Sequence, residues 1–104
     1  MNERRRAPRV GVSFPVECNI LPQKDYFYTV SKDLSVTGVK IVTNDFLPKN
    51  NFIKLNINLI DNVLGLKARV AWCNKERVVD RYSAGLEFVE IDKQNQQYLS
   101  SIIR

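Results

Sequence analysis

Residues 53–73 read Ile-Lys-Leu-Asn-Ile-Asn-Leu-Ile-Asp-Asn-Val-Leu-Gly-Leu-Lys-Ala-Arg-Val-Ala-Trp-Cys, and this stretch decides the fold. Its apolar residues recur at every second position. Ile53, Leu55, Ile57 and Leu59 alternate with Lys54, Asn56 and Asn58. After Asp61-Asn62, a pair suited to a turn, Leu64, Leu66, Ala68, Val70 and Trp72 alternate with Gly65, Lys67, Arg69, Ala71 and Cys73. Successive strand side chains point to opposite faces, so a period of two means one buried face and one wet face. The segment is two half-buried strands joined by a turn. Trp72 continues the inward set, and packing in the core or at a barrel end is favoured for it over stacking on a ligand.

The same period extends both ways. In residues 12–20, Val12, Phe14, Val16, Cys18 and Ile20 share a face, and Pro15 on the other face implies a sheet edge or a bulge. Tyr26–Ser31 is a shorter run of aromatic and β-branched residues, and Gly38–Thr43 is a third strand with Val39 and Ile41 facing in. Beyond a charged hairpin tip at 74–81, Tyr82, Ala84, Leu86 and Phe88 mark a sixth strand. The period then changes. Asp92 can cap a helix that sets Tyr98, Leu99, Ile102 and Ile103 on one side. Six strands need their edges managed, and closure into a small antiparallel barrel does so. The fold expected is an all-β, six-stranded antiparallel β-barrel, with a C-terminal helix over one open end.

The chain has 104 residues, enough for one domain. With 44% hydrophobic and 26% charged residues it has a globular balance. There is no apolar run of membrane-spanning length and no apolar segment behind the N-terminal charges, so a cytoplasmic protein without membrane insertion is expected. Cys18 and Cys73 fall on opposite strand parities and are read as free thiols. The chain lacks histidine, so a metal site is not expected, nor is a cofactor. Scattered carboxylates and no acid–base pair argue against an enzyme.

Charge is unevenly placed. The net charge is +5, and residues 1–9, Met-Asn-Glu-Arg-Arg-Arg-Ala-Pro-Arg, hold four arginines against one glutamate. A duplex-binding protein would spread basic residues over a face. Here residues 1–11 read as a flexible arginine-rich arm and 12–104 as the barrel domain. Between strands two and three lies Asp33-Leu34-Ser35-Val36-Thr37-Gly38. As an ordinary turn, Ser35 or Thr37 would bond to the backbone and Gly38 would supply a positive φ.

Arg5-x-x-x-Arg9 followed by Asp33-x-Ser35-x-x-Gly38 resembles the two-part signature of the PilZ domain, the bacterial receptor module for cyclic di-GMP. "VAWC" at 70–73 and "GLEFVEI" at 85–91 are similar to that family's last two strands, and the resemblance spans essentially the whole chain. It implies a non-enzymatic receptor whose arm orders on the ligand and relays the signal to a partner in motility, secretion or envelope machinery. It also implies that Arg5 and Arg9 meet guanine edges and phosphate. Asp33 and Ser35 would face a guanine's donor edge, and Gly38 would let the backbone come close. Arg4 and Arg6 would either reach a second nucleotide or remain solvent charges. Arginine suits such a dianion because its planar fork bonds O6 and N7 or a phosphate, and stacks on bases. Two other readings stand beside this one. One is an OB- or Sm-like single-stranded nucleic-acid module using Tyr26, Phe27 and Tyr28 as platforms; the other is a PilZ-like protein-interaction adaptor.

Overall fold

The computed structural model describes residues 13–22 and 25–103. Six strands, β1 (Pro15–Ile20), β2 (Asp25–Lys32), β3 (Gly38–Thr43), β4 (Phe52–Asn58), β5 (Val63–Lys75) and β6 (Tyr82–Glu90), precede one helix, α1 (Lys93–Ile102). The sheet closes on itself in the order β1-β2-β3-β6-β5-β4, with every neighbouring pair antiparallel. The expected barrel is therefore present. Closure returns β4 to β1, where Ile57 faces Val16, Leu55 faces Cys18 and Ile53 faces Ile20.

Alternation builds the interior. Val16 and Cys18, Val39 and Ile41, Ile53, Leu55 and Ile57, then Leu64, Leu66, Ala68 and Val70, and finally Ala84 and Leu86 are all buried. Each large aliphatic side chain among them contributes about 1.5–3 kcal/mol relative to exposure. Asp92 caps α1 as expected, its Oδ1 accepting from the Asn95 N–H at 2.8 Å. Leu99 and Ile103 enter the core, whereas Tyr98 is half-buried and Ile102 faces outward. Asn95 Nδ2 also donates to the Gly65 carbonyl at 3.3 Å, tying the helix to the start of β5.

Two local expectations change, and a third is not tested. Pro15 marks neither an edge strand nor a bulge: it is the first residue of β1, opposite Val30, and pairing to β4 begins one residue later at Val16. A strand's first position tolerates the missing N–H. β4 stops at Asn58, and Ile60 turns out to solvent at φ 74, a strained conformation for a β-branched residue. Val12, placed in the first strand by its alternation, lies outside the described residues.

The largest change is in β5. Val70 pairs with Leu86, but Trp72 pairs with Gly85, so Ala71 is an extra residue and the register shifts there. This bulge inverts the facing of the residues beyond it. Trp72 is 40% exposed on the outer surface instead of in the core, and Cys73 packs partly against the core. The parity argument about the cysteines thus fails at Cys73, although both thiols are unbridged.

Candidate functional site

The turn between β2 and β3 is held from below and from within. Leu34 is fully buried in the core and pins its first half. The Ser35 N–H donates to the Gly38 carbonyl at 2.9 Å, and Ser35 Oγ accepts from the N–H groups of Thr37 and Gly38 at 3.2 and 3.3 Å. With the hydroxyl so engaged and the residue buried, Ser35 shapes the turn more than it presents a polar group outward. The Phe88 N–H then bonds the Thr37 carbonyl at 2.9 Å, extending the β3–β6 pairing into the turn.

The left-handed position in this turn is Asp33, at φ 50, whereas none of the described glycines has a positive φ. Aspartate is among the few residues that tolerate this region. Gly38 is required for another reason: a Cβ there would stand 2.4 Å from the Leu86 carbonyl oxygen. Its place in the motif comes from close approach of β3 to β6, not from the freedom expected of a turn glycine.

Two cross-strand rows on the outer surface meet at this turn. One runs Lys40–Gly85–Trp72 and the other Gly38–Glu87–Arg69. Gly38 leaves the sheet partly bare beside the larger side chains, and Gly85 makes room for the Trp72 indole. The result is a hollow of about 290 Å³, lined among others by Asp33, Ser35, Gly38, Lys40, Trp72 and Glu87. The Trp72 indole lies on Gly85, where a Cβ would come within 2.3 Å of Nε1. Arg69 Nη2 bonds Glu87 Oε1, and Arg69 Nη1 donates to Asn50 Oδ1 at 3.4 Å. Arg69 Nε is buried without a partner among the described residues.

Asp33, Ser35 and Gly38 line one hollow. Arg4, Arg5, Arg6 and Arg9 lie outside the described residues. The point where the chain joins the barrel is fixed: the Phe14 N–H donates to Ser31 Oγ at 3.0 Å, and the Ser31 N–H to the Phe14 carbonyl at 2.8 Å. Ser31 is two residues from Asp33, so Phe14 meets β2 beside the turn. Lys40 and Glu87, which also line the hollow, were not singled out from the sequence, and Trp72 was placed in the core in preference to a ligand-stacking role. Trp72 carried a signal, an aromatic beside a strand glycine partner, but only the bulge turns it outward.

The sequence matches the PilZ domain family over residues 3–104. The chain belongs to the PilZ domain family. Solved structures agree in fold. Bacillus subtilis MotI/DgrA, an inhibitor of motility, superposes with a TM-score of 0.81 at 22% identity, covering 98% of this chain and 50% of that one. This PilZ domain therefore spans about half the length of that relative. The PilZ domain of Escherichia coli YcgR, solved with c-di-GMP, gives a TM-score of 0.76 at 16% identity over 97% of this chain and 89% of that one. The K. pneumonia MrkH–c-di-GMP complex gives 0.76 at 17% identity over 98% and 52%. No curated protein matches the chain in sequence.

The aromatics invoked for single-stranded nucleic acid do not form one platform. Tyr26 and Tyr28 are exposed on β2, but Phe27 between them packs toward the core. Cys18 is no nucleophile, because burial, followed by the Glu17 charge, pushes its thiol up to about 12. Among the described residues no cluster of three or more His, Cys, Asp or Glu could hold a metal ion, and no helix is long and apolar enough to cross a membrane.

Proposed function

We propose that this PilZ domain is a non-enzymatic, cytoplasmic receptor for cyclic di-GMP, which it binds between the 1–11 arm and the hollow at the Asp33–Gly38 turn. The observation that carries the reading is the shared location of the turn and the chain's point of entry, fixed by the Phe14–Ser31 bonds. Arg9 is four residues before Ser13, and an extended chain covers about 13–14 Å over that span. In this reading that span carries Arg9 toward the hollow, with Arg5 further back along the chain.

The chemistry divides between the parts. A guanine lies beside Gly38, its face against the Trp72 indole and its donor edge toward Asp33. Arg5 and Arg9 take phosphate and the O6/N7 edge, with Arg4 and Arg6 able to extend to a second nucleotide. Ser35 and Gly38 hold the turn that carries Asp33. Ordering the arm costs about 1–2 kcal/mol per residue, and charge-assisted bonds of about 1.5–3 kcal/mol each offset this when ligand is present. The clamped arm is the signal, read by a protein partner. In this reading the partner belongs to motility, secretion or envelope machinery.

Calorimetric titration with cyclic di-GMP, GMP and short single-stranded DNA tests the reading. Binding of cyclic di-GMP alone is expected at about micromolar affinity, roughly −8 kcal/mol. Arg9→Ala should abolish it with the melting temperature nearly unchanged. Wild-type affinity in Arg9→Ala would overturn the site assignment.

A further inference from the structure

We infer that Glu87, held by Arg69, is a second base-reading residue of the hollow and selects guanine over adenine. This rests on the cyclic di-GMP reading and adds a residue outside the Arg-x-x-x-Arg and Asp-x-Ser-x-x-Gly motifs. Glu87 stands on the outer face of β6 directly opposite Gly38, and it lines the same hollow as Asp33. Arg69, opposite Glu87 on β5, bonds its Oε1 and is itself anchored on Asn50. A carboxylate has about four acceptor sites, so one bond to Arg69 leaves capacity for a base edge.

Charge decides which part of the ligand enters. Asp33 and Glu87 are both carboxylates in a hollow of about 290 Å³, and both repel phosphate. A purine presenting N–H donors is favoured there instead, and guanine offers two, N1–H and the 2-amino group. Adenine offers one donor group there, its 6-amino group, beside an unprotonated N1 whose lone pair a carboxylate repels. The Arg69 guanidinium offsets part of the acidic charge and fixes the direction of the Glu87 carboxylate, which makes Arg69 a positioning residue. Lys40, which lines the hollow from β3, adds a cation at its edge, away from the carboxylate pair's role in reading the base.

The test is titration of the full chain and its Glu87→Gln and Glu87→Asp variants with cyclic di-GMP and cyclic di-AMP, with melting temperatures measured alongside. Glu87 is exposed, so folding is expected to survive both changes. Glu87→Gln should weaken cyclic di-GMP about tenfold or more and leave cyclic di-AMP no weaker, narrowing the selectivity. Glu87→Asp, which keeps the charge, should fall between. Unchanged or tighter cyclic di-GMP binding in Glu87→Gln overturns the inference, as does an equal loss for both nucleotides. If wild type binds cyclic di-GMP and Arg9→Ala does not, such a result removes only the role of Glu87. If wild type fails to bind, the receptor reading falls and this inference with it.

Discussion

Replacing Gly85 with alanine separates the hollow from the stability of the barrel. The added Cβ would lie 2.3 Å from Nε1, 2.4 Å from Cε2 and 2.9 Å from Cζ2 of Trp72. Ordinary contact is about 3.5–4.0 Å, so the indole must retreat by about 1 Å or more. Gly85 has no left-handed φ, so its backbone accepts alanine, a change that by itself adds about 0.4–1 kcal/mol through the unfolded state. If the retreat exposes about 50 Å² of apolar indole, the loss is about 1.2 kcal/mol at 25 cal/mol per Å². The two nearly cancel, and the melting midpoint should move by no more than about 4–8 °C. Binding should not be spared: base–aromatic stacking is worth about 1–3 kcal/mol, so cyclic di-GMP affinity should drop about 5- to 150-fold. Trp72 is the single tryptophan of the chain, so its emission spectrum reports the displacement directly. Unchanged emission together with unchanged affinity would refute both the indole shelf and its role in stacking.

Gly38→Ala meets backbone instead of a side chain, the Leu86 carbonyl oxygen at 2.4 Å, and should cost about 1–3 kcal/mol in urea unfolding as β3 is forced from β6. Leu34→Ala removes the plug under the turn and should lower stability by about 2–5 kcal/mol, also in urea, with weaker ligand binding because Asp33 loses its support. The raised thiol of Cys18 gives a pH dependence. The folded protein holds it protonated to about pH 12 against an ordinary value of 9.0, so its contribution to stability is complete below pH 9 and is lost as pH rises toward 12. Thermal melts of wild type and Cys18→Ala across that range measure it, and the decline should be shallower in the variant. An alkylating reagent at neutral pH should modify the partly exposed Cys73 before the buried Cys18.

Most of the barrel was legible because strand alternation is a local property. Ile53, Leu55 and Ile57, then Leu64, Leu66, Ala68 and Val70, and Val39 with Ile41 face inward as their spacing requires, and Asp92 caps the helix its position suggests. The family signature likewise lies in residue types at fixed spacing, and it located the Asp33–Gly38 turn. Trp72 escaped the same logic. Its facing depends on one unpaired residue, Ala71, and that bulge belongs to the pairing of β5 with β6 and to neither strand alone.

The amino-acid sequence by itself determined the strand set, the closed all-β architecture and the family. Each rests on periodicity or on motif spacing, both written along the chain. Tertiary structure decided what those residues do in space. It gave the left-handed φ to Asp33 and left Gly38 needed for the nearness of the Leu86 carbonyl. It turned Ser35 inward to bond its own turn, and set Trp72, Lys40 and Glu87 around one hollow. The physical reason is that these features arise where strands distant in sequence are brought into register, and register is set by the whole barrel closing at once.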